Sequence, residues 1–362
     1  MTISSEVQTD AGGLPRKGSG SRRTLMTPGR HRLEGHRARP DVARSRFSRA
    51  LVALSLLCLP ACTILHTDVS VVRTSPLPEP IRSHFDYSPG FREISCRVER
   101  QEDGYEVRRV RLQVSDDVGR ATSDLELEDF RVTAPGRRPA VVVTPILKGK
   151  QGIVRILAGI LAERGFHAVI LHNPDGILDP QQDSAALERA FRGSIVDLRR
   201  AVDWLALRED VDPARLGSMG VSLGAIRNAV LAAVEPRLRA HVLLLGGADL
   251  PGILMQSVEG PVCKYREARL EANGGSEEAL LASLREAFFY DDQELGRSVD
   301  PRSVLLFLAR FDRTVPYENG LLLRERLGRP ETVVIPSGHY SAAAFLPYAA
   351  TRAVRFLDEK LR

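Results

Sequence analysis

Cysteine is scarce in this chain, with four among 362 residues. Cys58 and Cys62 lie in an apolar leader, which leaves Cys96 and Cys263 beyond it. These two either bridge in an oxidising compartment or stay as free thiols; they do not amount to a disulfide framework. Neither has the neighbours of a catalytic cysteine, and no Cys/His cluster has metal-ligand spacing. Tryptophan is reduced to Trp204, which sits at helical spacing among apolar residues and reads as core. No apolar run reaches the roughly 20 residues of a membrane-spanning helix. A net excess of basic charge is missing outside the leader. The net charge of the chain is +5, but residues 1–61 alone carry eleven Lys or Arg against four acids, a net of +7, so the remainder stands at −2. The basic pI of about 9.2 therefore belongs to the leader, and a nucleic-acid-binding role loses its support.

What is present begins with that leader. A basic stretch precedes Ala50–Cys62, about a dozen mostly apolar residues, as in a secretory signal peptide. Leu59-Pro60-Ala61-Cys62 resembles the lipobox of bacterial lipoproteins, in which the cysteine after the cleavage site is acylated. That resemblance implies a lipid anchor at Cys62 and a place in the bacterial cell envelope, facing the periplasm or exterior. An ordinary secretory signal cleaved nearby is the alternative. Residues 63–89, with Pro76, Pro78, Pro80 and Pro89, read as a tether from leader to domain.

From residue 90 onward the pattern is that of an α/β domain. Arg92–Arg100 and Tyr105–Val114 alternate apolar and polar around Glu102-Asp103-Gly104, a hairpin signature. Residues 115–138 are charged and read as irregular. Strands are then expected at 139–144, 167–171, 215–219, 241–245, 303–309 and 331–335. Helical spacing recurs between them over 152–164, 187–207 and 225–235. Alternation of this kind implies a mainly parallel sheet covered on both faces. An insertion of about fifty residues between Leu250 and Asp300 carries an amphipathic helix near 276–289, ending in Phe288-Phe289-Tyr290.

The motif that carries chemistry is Gly220-Val221-Ser222-Leu223-Gly224, between a strand pattern and a helix pattern. A turn this tight has no room for side chains two before and two after the serine, so glycine is required there. Asp312 follows the strand 303–309, and His339 follows the strand 331–335 shortly before a terminal helix. A G-x-S-x-G at a strand-to-helix turn, with an acid and then a histidine later in the chain, resembles the nucleophile elbow and triad order of the α/β-hydrolases. The resemblance covers about residues 90–362. It implies Ser222 as nucleophile, His339 as general base and acid, and Asp312 as the group orienting the histidine. Asp249, just past the strand at 241–245, is the rival acid. The oxyanion hole implied by the family falls to the N–H groups of Leu223 and of Ile146, with Leu147 as the neighbouring alternative; Pro145 has no N–H to offer. The family also implies an antiparallel edge formed by the first strands and a helical lid made by the insertion. The aromatic cluster at its end then either lines the acyl pocket or packs the lid onto the body. His172 and Asn173, at the end of the strand 167–171, either face the site or form a turn. The implied reaction is cleavage of a small-molecule carboxylic ester without a cofactor. An acyltransferase or thioesterase would use the same groups, and a non-catalytic, envelope-tethered binding protein is the reading from another class.

Overall fold

A computed structural model describes residues 63–70, 74–115, 124–147, 151–173, 176–290 and 293–361. The leader, including Cys62, lies outside the described residues. Among the described residues ten strands form one sheet in the order β1-β10-β9-β8-β7-β5-β6-β4-β3-β2. They are β1 Leu65–Thr67, β2 Phe91–Glu102, β3 Tyr105–Val114, β4 Asp124–Val132, β5 Arg138–Thr144, β6 His167–Leu171, β7 Val211–Val221, β8 Leu238–Leu244, β9 Val304–Ala309 and β10 Glu331–Ile335. The six strands from β10 to β6 run parallel, and β4, β3 and β2 continue the sheet antiparallel. The parallel strands are the apolar runs of the sequence, since both of their faces are covered. Every residue of β9, Val-Leu-Leu-Phe-Leu-Ala, is buried.

Helices cover the two faces. Gly152–Glu163 (α2) and the last helix, Leu346–Lys360, supply Leu157, Leu161, Ala353 and Leu357 to the core on one side. Ser184–Ala206 (α3) and Leu223–Val234 (α4) supply Leu187, Phe191, Ile226 and Leu231 to the core on the other. The insertion folds into Leu250–Gln256 (α5), Gly260–Ala272 (α6), Glu277–Ala287 (α7) and Gln293–Arg297 (α8). Phe288 and Tyr290 pack the insertion onto the body, against Phe191 and Phe85 respectively, rather than lining the cavity that contains Ser222. Among the described residues no helix is long and apolar enough to cross a membrane.

Two expectations are corrected. Residues 63–89 do not form a free tether. β1 pairs antiparallel with β10, Ser75 N–H donates to the Arg297 carbonyl (2.9 Å), and the short helix Glu79–His84 (α1) buries Ile81 while Phe85 beyond it is fully enclosed. Prolines set the path of this segment, but a few apolar anchors decide where it lies. The charged stretch 115–138 also contains β4. Its acids mask the strand period because two of them are buried and neutralised: Glu128 by Arg155, and Asp129 by Arg208 at 2.8 Å. The remaining cysteines are both free, Cys96 exposed on the edge strand β2 and Cys263 in α6.

Candidate active site

Ser222 stands at the tip between β7 and α4 with φ 57° and ψ −121°, a conformation that costs a non-glycine residue energy. The surrounding backbone holds it there. Ser222 N–H donates to the Leu244 carbonyl (2.8 Å), and the Ser222 carbonyl accepts the Ile226 N–H (3.1 Å). The glycines on either side have the reason inferred from sequence. A Cβ on Gly220 would lie 2.3 Å from the Gly224 carbonyl oxygen, and one on Gly224 would lie 2.2 Å from the Thr144 carbonyl oxygen. The first contact closes the turn; the second presses α4 against the end of β5.

The distant partners meet at this tip. His339 Nε2 lies 2.9 Å from Ser222 Oγ, and His339 Nδ1 lies 2.6 Å from Asp312 Oδ2. The other carboxylate oxygen of Asp312 accepts the N–H groups of Thr314 (2.9 Å) and Val315 (3.0 Å), which fixes the carboxylate from behind. Asp312 is buried, and the His339 side chain is one-tenth exposed. Asp249 is engaged elsewhere, its carboxylate accepting Gly252 N–H at the start of α5. The structure thus joins Asp312, not Asp249, to His339.

The loop after β5 approaches from the other side. Among the described residues neither Ile146 N–H nor Leu223 N–H has a protein acceptor. Both residues line the cavity that contains Ser222. The loop is held by groups that sequence reasoning missed. Arg227, one turn into α4 and fully buried, donates to the Pro145 carbonyl (3.1 Å) and to Asn173 Oδ1 (2.6 Å). Asn173 Nδ2 in turn donates to the carbonyls of Ile146 (2.6 Å) and Leu147 (3.1 Å). Thr144 Oγ1 donates to Asn228 Oδ1 at 2.6 Å. Asn173 therefore braces the loop rather than merely forming a turn, while His172 lies 2.8 Å from Glu128. Burial pulls the Arg227 guanidinium down to about 9, a sign of how little water reaches this brace. The available signal was a polar pair, Arg227-Asn228, in a helix otherwise apolar on all sides.

No family model matches the chain, and no curated protein matches it in sequence. Solved structures do match in three dimensions. Acetyl xylan esterase 1 from Thermoanaerobacterium sp. JW/SL YS485 superposes with a TM-score of 0.57 at 16% identity, over 80% of this chain and 99% of that one. The acetyl xylan esterase from Paenibacillus sp. R4 gives 0.57 at 15% identity, over 75% and 92%. The 2,6-dihydroxy-pseudo-oxynicotine hydrolase gives 0.51 at 18%, over 71% and 68%. At this identity the likeness is one of fold. This is the α/β-hydrolase fold.

In this α/β-hydrolase fold the serine opens into a cavity of about 200 Å³ at the C-terminal ends of the parallel strands. α5 and the start of α6 roof it, through Leu250, Leu254 and Val262. Its wall is almost wholly aliphatic or aromatic. The polar groups in it are paired with one another: Ser257 Oγ donates to the Thr314 carbonyl (2.6 Å), and the Tyr340 hydroxyl donates to Glu259. That last bond, with burial second, pushes the Tyr340 hydroxyl up to about 12. Among the described residues no group of three His, Cys, Asp or Glu side chains is placed to hold a metal ion.

Proposed function

We propose that this protein is a serine hydrolase that cleaves carboxylic esters through an acyl-enzyme. The observation that carries the reading is the continuous hydrogen-bonded line Ser222–His339–Asp312, at 2.9 and 2.6 Å, opening into a cavity. Ser222 Oγ attacks the carbonyl carbon while His339 Nε2 takes its proton. Asp312 holds the Nδ1 proton side of the ring and stabilises the imidazolium. The tetrahedral oxyanion rests on the N–H groups of Leu223 and Ile146, and the positive end of α4 points the same way. Collapse expels the alcohol, which receives its proton from His339. Water then enters, gives a proton to His339 and attacks the acyl carbon, and the carboxylic acid leaves with Ser222 restored. Every group in this cycle belongs to the chain or is water.

Turnover of a short-chain aryl ester by the purified protein, lost in Ser222→Ala, is the expected result, together with covalent labelling of Ser222 by a fluorophosphonate. Absence of both turnover and labelling would overturn the hydrolase and favour a binding protein. The leader supports a further proposal, that Cys62 is acylated and holds the enzyme to a bacterial envelope membrane. Mass spectrometry of the mature N-terminus tests it; an unmodified terminus elsewhere than Cys62 dismisses the anchor.

A further inference from the structure

We infer that the ester taken by this site is a fatty acyl ester, with the acyl chain lying under the insertion and the alcohol leaving past the histidine loop. The inference rests on the hydrolase reading for its chemistry, but the cavity itself carries the substrate class. Two sides of the cavity differ. Towards α3 and α5 the wall is made by Leu187, Phe191 and Leu254, each about 3% exposed, so this side is a closed end. Towards the segment after His339 it is made by Ala342, Ala343 and Leu346, of which Ala343 is exposed and the other two half-buried. The leaving alcohol must exit and water must enter, and of these two sides, as the described residues form them, the second gives on to solvent. The acyl group is therefore assigned to the closed side.

The chemistry of the described wall disfavours polar acyl groups. Among the described residues no lysine, arginine or aspartate lines the cavity, and the one carboxylate there, Glu259, is bonded to Tyr340 at the rim. Ser257 is already committed to a carbonyl. A sugar or charged group drawn into the closed side would lose its bonds to water and find no replacement. A methylene chain loses nothing and gains burial.

The test is an acyl series of p-nitrophenyl esters, from acetate to decanoate, after fluorophosphonate labelling has established that Ser222 reacts. We expect kcat/KM to rise about fourfold per added methylene until the closed end is filled, the factor equivalent to burying one methylene. Leu254→Trp should move the optimum to shorter acyl chains. Ala343→Trp, on the open side, should instead lower kcat/KM for bulky alcohols while the acyl optimum stays in place. A maximum at acetate, or an optimum indifferent to Leu254→Trp, overturns the inference while leaving the hydrolase intact. If Ser222 neither labels nor turns over any ester, calorimetric titration of Ser222→Ala with p-nitrophenyl octanoate and acetate decides the matter separately. Octanoate binding at least tenfold tighter supports the apolar site without catalysis; equal binding rejects it.

Discussion

Replacing Ser222 by alanine and, separately, by glycine isolates the strain held at the turn. Both variants lose the hydroxyl and its contact with His339, so that loss cancels in the comparison. Both keep the backbone bonds to Leu244 and Ile226, which do not depend on the side chain. What differs is the φ of 57° and ψ of −121°, which alanine must bear and glycine adopts freely. Such conformations cost about 1–3 kcal/mol in a residue with a Cβ. Glycine gives back roughly 0.5–1 kcal/mol through the greater freedom of its unfolded chain. The balance leaves the glycine variant more stable than the alanine variant by up to about 2.5 kcal/mol. For a chain of this size that is a difference of up to about 5 °C in Tm. Paired thermal unfolding of the two inactive proteins measures it directly. An alanine variant melting at or above the glycine variant would show that the turn is not strained, and the argument for a nucleophile held up by its backbone would fail.

Other changes reach the site by other routes. Gly224→Ala, whose Cβ would sit 2.2 Å from the Thr144 carbonyl, must push α4 away from the loop bearing Ile146. It should lower kcat by about 10²-fold or more, the worth of one oxyanion donor, and cost about 1–3 kcal/mol of stability by urea unfolding. Asp312→Asn keeps an oxygen for Thr314 and Val315 but offers an amide to His339, favouring the wrong tautomer; kcat should fall by about 10⁴ with little change in Tm. Acid should destabilise the fold through His241 and His167, whose imidazoles burial pulls down to about 4. Well above pH 6.5 both are neutral in either state and contribute no penalty. As pH falls from 6.5 towards 4 the unfolded chain binds protons that the folded one refuses, so stability declines across that window, by at most about 3 kcal/mol per histidine. A His241→Gln variant should show a shallower loss of Tm between those pH values; an unchanged slope would refute the assignment.

Local sterics and periodicity were written in the chain. Gly220 and Gly224 flank Ser222 because two backbone contacts leave no room for a Cβ, and that demand reads straight from five residues. The parallel strands were legible because burial on both faces leaves an apolar run, and the order serine, acid, histidine was legible because each follows such a run. β4 was not, since a buried Glu128 and Asp129 look like surface until their arginines are seen beside them. Chain order already favoured Asp312 over Asp249, but only the tertiary structure shows which carboxylate lies within 2.6 Å of an imidazole far along the chain. The same holds for the brace through Arg227 and Asn173 and for the closed apolar end against Phe191 and Leu254. Those features join residues from separate elements. A linear pattern records what each residue can do, whereas their distances arise only once the sheet has brought its strand ends together.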